Sequence, residues 1–122
     1  MPDRVDVPTI NDEDLLWRRI VNDPIWLDDS GRVSSAAFLD RHTGRVSVHL
    51  AKLTTQQAAL NGRPNDGLVE IPAGLPRRLE INVIYEPTDE DASHCVMCPV
   101  TKSKAKQLAR SAQWLVKPLR IR

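Results

Sequence analysis

The sequence predicts an α+β fold: a single antiparallel or mixed sheet of four to five strands, two to three helices, and the C-terminal helix packed on the sheet. Three observations predict it. Short runs rich in valine, leucine and isoleucine recur between proline and glycine breaks, which is how strands are spaced. These runs and the helix-like stretches follow no regular strand–helix–strand order, as a parallel sheet would require. Near the C-terminus, Ala105, Leu108, Ala109, Ala112, Leu115 and Val116 recur at helical spacing. The 122 residues make one domain, 1–122. Surface scaling lets a chain of this length bury about two-thirds of its unfolded area without disulfides or metals.

Residues 1–10 read as an extended arm. In 11–20 the acids Asp12, Glu13 and Asp14 precede Arg18 and Arg19, the charge order a helix dipole favours, with Asn11 or Asp12 as cap. A short helix is expected there. The alternation of Leu15, Trp17 and Arg19 against Leu16, Arg18 and Ile20 leaves a strand as the alternative. The runs 33–39 and 45–51 flank a five-residue connection and read as a hairpin. Its second strand sets Val46, Val48 and Leu50 on a core face and Ser47 and His49 on a polar one. Thr54 with Gln57 suggests a capping box for a brief helix that Gly62 stops. Strands follow at 67–71 and 79–86, separated by Pro72, Gly74 and Pro76, which break any helix. An acidic loop at 88–93 leads into a strand at 95–100, with Pro99 near its edge or end. The last helix runs over 103–116, is stopped by Pro118, and gives way to a basic tail, 117–122.

The formal net charge of +1 argues against a nucleic-acid binder that uses its whole surface. Charge is segregated, however: residues 1–30 hold eight acids and three bases, whereas 101–122 hold seven bases and no acid. No apolar run approaches eighteen residues, and the start lacks a basic region followed by an apolar stretch. Neither a membrane span nor a secretion signal is expected, and the expected location is the cytoplasm. The two cysteines are too few and too close for the disulfide framework of a small secreted protein.

The densest basic feature opens the last helix. Lys102, Lys104 and Lys106 crowd an end that already carries partial positive charge, at a cost of a few tenths of a kcal/mol each, roughly, unless an anion compensates them. Thr101 and Ser103 add hydroxyl donors, and Arg110, Lys117, Arg120 and Arg122 extend the patch. These nine residues are the candidate seat for a phosphate, a nucleic acid or an acidic partner. His94, Cys95 and Cys98 bring metal-ligating types together, but structural zinc needs four ligands, and residues three apart on a strand face opposite ways. Small buried hydrophobes are the plainer reading of both cysteines. His94, at a loop-to-strand junction, is a candidate acid or base. His49 shares its strand face with Ser47, and Ser34 or Ser35 would face it across the hairpin, without a nucleophile elbow to support a hydrolytic triad.

The Leu-Trp-Arg-Arg run at 15–18 and beyond, the run 32–38 (Arg-Val-Ser-Ser-Ala-Ala-Phe), Val46-Ser47-Val48 and Ala92-Ser93-His94, followed by an amphipathic helix, together resemble a family of small uncharacterised bacterial proteins with no known activity. That resemblance covers most of the chain and implies a stand-alone domain acting with partners. A fainter one is to ADP-ribosyltransferase-like folds, in which an early strand carries an arginine for the cofactor and a later strand carries serines. It implies that Arg18 or Arg19 holds a dinucleotide and that Ser34 or Ser35 lines the pocket. No Gln-x-Glu or Glu-x-Glu stands where that fold places its catalytic glutamate.

Two functions are therefore expected to compete. The first is a non-enzymatic accessory or interaction domain of a protein assembly, without cofactor, meeting an acidic surface, phosphate or nucleic acid through the basic helix. The second is a small enzyme acting on a nucleotide-like substrate with His94, Arg18 or Arg19, and Ser34 or Ser35.

Overall fold

Leu15–Ile20 forms a strand, β1, and the expected helix over 11–20 is absent. The acids before it close a turn instead: the Asn11 amide donates to Asp14 Oδ2 at 2.7 Å and the Asp14 amide to Asn11 O at 3.0 Å. Charge order along one helical turn is worth tenths of a kcal/mol, whereas a strand here buries Leu16 and Ile20 completely. The computed structural model describes residues 9–28 and 30–118, so nearly all of the proposed arm, together with Arg120 and Arg122, lies outside the described residues.

The run 33–39 is not a strand, and no hairpin joins it to the next. It forms a 3-10 turn, Ser35–Phe38, that sets Ala37 and Phe38 in the core. Asp40 turns the connection by accepting the amides of His42 and Thr43. The strand β2, Val46–Leu50, alternates as expected, and after a second 3-10 turn comes α1, Gln56–Leu60. The cap of α1 is Thr55, whose hydroxyl accepts the Ala58 amide at 3.1 Å, one residue later than the expected Thr54. Asn61, at φ 50°, ends it in the left-handed conformation.

β3, Gly67–Pro72, leads into a short helix, α2, Gly74–Arg78, where none was expected. Pro76 sits in its first turn, where a missing N–H costs nothing because those amides have no partner within the helix. β4 is Asn82–Tyr85 and β5 is His94–Cys98, with Pro99 just past its end. α3, Lys102–Ser111, stops short of the expected 116, and Trp114, Leu115 and Val116 belong to a further strand, β6, Gln113–Val116.

All six strands join one antiparallel sheet in the order β4-β5-β2-β1-β3-β6. Among the described residues the fold is thus α+β with three helices, but six strands replace the four to five expected, because the ends of two helical patterns pair as β1 and β6. One sheet face carries Leu16, Val46, Val48, Ile71, Cys95 and Met97 into the core, and α3 adds Ala105 and Leu108 to the same cluster beside Phe38. On the other face α1 packs against β1 and β3 and buries Ala59. No helix among the described residues is long and apolar enough to cross a membrane.

Candidate functional site

The sheet is thinly paired at its centre. β1 pairs with β3 at all six residues but with β2 only through Leu16↔Leu50 and Trp17↔His49. Beyond that point β1 and β2 part, and the next residue, Arg18, fills the gap. Its Nε donates to Ala37 O at 2.9 Å and its Nη1 to Ser47 O at 2.8 Å, which ties the 3-10 turn to β2. The guanidinium carbon lies 5.0 Å from the centre of the Trp26 ring, within cation–π range. Burial, then the charge of Arg19, pulls the Arg18 pKa down to about 10, so it remains cationic at neutral pH. No carboxylate among the described residues pairs with it.

Arg18, Trp26 and Ser47 line two clefts. The larger, about 630 Å³, adds Ser35, Asp40, Arg41, His42, Arg45 and Lys102. Arg45 is held by Glu86, its Nη2 donating to both carboxylate oxygens at 2.9 and 2.7 Å. The smaller, about 290 Å³, lies on the face of Arg19, Ser47 and His49 and is closed by Ala59 and Asn61 from α1 and by Glu90 and Asp91 from the loop before β5. Here His49 Nδ1 stands 2.9 Å from Asp91 Oδ2 and 3.2 Å from Ser93 Oγ. Burial pushes the His49 pKa below its ordinary 6.5, against the upward pull of Asp91, which favours the neutral ring near pH 7; a carboxylate beside Nδ1 favours the tautomer that carries its proton there. Burial would push Asp91 up, but the Ser93 hydroxyl at 2.5 Å, the Ser93 amide at 2.9 Å and His49 together hold it below the ordinary carboxylate value.

Of the candidates from sequence, Arg18 and Ser35 meet in the larger cleft, and Arg18 and Arg19 in the smaller. Ser34 is directed elsewhere, donating to Ile25 O at 2.6 Å. His94 lines neither cleft: its Nδ1 donates to Glu86 O at 2.7 Å and its Nε2 meets Ser47 Oγ at 3.1 Å. The histidine held by a carboxylate and facing a cleft is His49, and the partner that replaces the expected Ser34 or Ser35 is the Asp91–Ser93 loop. The acidic run 89–91 was the available signal, but the 42-residue separation hid the pairing.

The basic helix divides. Thr101 caps α3, its hydroxyl accepting the Lys104 amide at 3.4 Å, and Ser103 is exposed. Lys102 turns to the Arg18 cleft, whereas Lys106 and Arg110 line another depression, about 540 Å³, with Arg32, Trp114 and Ser35. Lys117 is exposed beyond β6. Among the described residues none of Lys102, Lys104, Lys106 and Arg110 forms an ion pair. Cys95 points into the core and Cys98 does not, and burial, with Asp91, pushes the Cys95 thiol up to about 11. No group of three His, Cys, Asp or Glu side chains among the described residues is arranged to hold a metal ion, and His94, Cys95 and Cys98 do not converge. Comparison of this chain with protein-family models, with curated proteins and with solved structures finds no match.

Proposed function

We propose that the protein binds a phosphorylated, nucleotide-like ligand in the paired clefts that meet at Arg18. The observation that carries this reading is Arg18 itself: a half-buried guanidinium at the junction of two clefts, fixed by two backbone carbonyls and stacked on Trp26, with Asp40 acting on its charge but no carboxylate within ion-pair distance among the described residues. Holding such a charge away from water is unfavourable unless an anion repays part of the cost. Arg41 and Lys102 add positive charge at the larger cleft, and Trp26 offers a flat surface beside it. A nucleotide presents the matching pair of features, a phosphate and an aromatic ring.

Titration with AMP, ADP and NAD, followed by tryptophan fluorescence and calorimetry, tests this. Saturable binding is expected, weakening with salt. Arg18→Gln and Lys102→Gln should each reduce affinity, the former by roughly 10- to 100-fold, since a charge-assisted hydrogen bond is worth about 1.5–3 kcal/mol. Failure of all three to bind at millimolar concentration overturns the reading.

A second reading, an accessory domain in a protein assembly docking an acidic partner on α3, rests on Lys104 and Lys106 forming no ion pair among the described residues. The double variant Lys104→Gln/Lys106→Gln separates the two: it should leave nucleotide binding intact and abolish only partner docking.

A further inference from the structure

The smaller cleft holds an arrangement that binding alone does not require. His49 Nδ1 is engaged by Asp91 at 2.9 Å and Ser93 at 3.2 Å, while its Nε2 has no partner among the described residues. Asp91 is fixed in turn by the Ser93 hydroxyl and amide, and Ser93 is fully buried. The chain of contacts therefore orients an imidazole, favours its proton on Nδ1 beside the Asp91 carboxylate, and leaves Nε2 without a partner on a residue that lines the cleft. His94, the other histidine on this sheet face, has both nitrogens engaged by Glu86 and Ser47 and offers no such atom. Arg18 and Arg19 line the same cleft, and the Arg19 ion pair with Asp66, at 3.6 Å, is loose enough to leave donors free.

We propose that His49, positioned by Asp91, is the general base for hydrolysis of a phosphate diester held at Arg18 and Arg19. The proposal rests on the nucleotide-binding reading above. Its co-reactant is water. His49 Nε2 takes a proton from the water, whose oxygen forms the new bond to phosphorus. The bond from phosphorus to one ester oxygen breaks, and the imidazolium returns the proton to that oxygen. The products are a phosphate monoester and an alcohol, and His49 is regenerated. The two guanidinium groups stabilise the charge that builds on the phosphoryl oxygens.

The groups facing His49 set its pH response. Asp91 and Glu90 come from the loop, His94 from β5, and Arg18 and Arg19 from β1. Burial, His94 and Arg19 disfavour the imidazolium and Asp91 favours it. Activity should therefore rise with pH through a break below 6.5 and stay level above it.

The test is release of 4-nitrophenolate from bis(4-nitrophenyl) phosphate by the full chain, with nucleotide binding measured in parallel. Wild-type turnover with that pH profile is expected. His49→Asn and His49→Gln should each lose about 100-fold or more in kcat, in the range of general-base contributions, a larger effect than any on KM. Asp91→Asn should move the break to lower pH, a shift that a merely structural role would not produce. Wild type that binds nucleotide but shows no turnover overturns this proposal and leaves the binding reading standing; loss of both overturns both. Full turnover in either His49 variant also overturns it. A measurement independent of variant folding is the nitrogen chemical shift of His49 in the wild-type protein: a proton on Nε2 at neutral pH refutes the assignment.

Discussion

Arg18→Lys isolates the geometry at the sheet's central gap, because it keeps the charge and removes only the planar fork. Arg18 serves two backbone carbonyls on different elements, Ala37 O at 2.9 Å and Ser47 O at 2.8 Å. A single ammonium on a shorter stem serves one of them, and the other carbonyl loses its partner at a cost of about 1–3 kcal/mol. The contact with Trp26 at 5.0 Å weakens as well, adding about 0.5–1 kcal/mol. An ammonium is also more strongly hydrated than a guanidinium, so its burial acts in the same direction. The expected loss is about 2–4 kcal/mol, read as a lower urea midpoint at unchanged slope and a Tm roughly 10 °C lower. A variant within about 0.5 kcal/mol of wild type would refute the reasoning, since positive charge in the gap would then suffice and the fork would be incidental.

Gly67→Ala should destabilise by about 1–3 kcal/mol through overpacking. An added Cβ would stand 2.6 Å from Val116 O, 2.7 Å from Pro118 Cδ and 2.8 Å from Trp114 Cζ3, so β6 must shift. Denaturant unfolding and Trp114 fluorescence both read this, and stability within about 0.5 kcal/mol of wild type would contradict it. Acidification should lower stability in two stages. His49 has a folded pKa below its unfolded 6.5, so its contribution is complete above that value and is lost as pH falls through the folded one. Asp91 is likewise depressed, from 3.8, and its contribution is lost only at lower pH. Tm measured from pH 7.5 to 5 should fall in wild type and fall less in His49→Gln; equal slopes would remove the neutral buried His49 from the account.

Period and breaks in the sequence were enough to place β2, β3, β5 and most of α3. Val46, Val48 and Leu50 alternate with Ser47 and His49, and Ala105 and Leu108 mark a helix face, because in each case one side of a local element must be buried. The same rule failed at 11–20 and 112–116. In the first, six residues fit either period; in the second, Leu115 and Val116 continue the helical spacing by coincidence. What decided both was a partner distant in sequence, β3, whose two edges receive β1 and β6. Arg18 was visible as a candidate and Lys102 as part of a basic cluster, but composition could not show that they share one cleft. His49 and Asp91 meet for the same reason. They lie on a strand and on the loop before another, and only the antiparallel pairing of β2 with β5, His49 opposite His94, brings them within hydrogen-bonding reach. Local burial is written in nearest-neighbour pattern, so the chain alone determined its fold class and its basic end; contacts between separate strands depend on register, and the site was decided there.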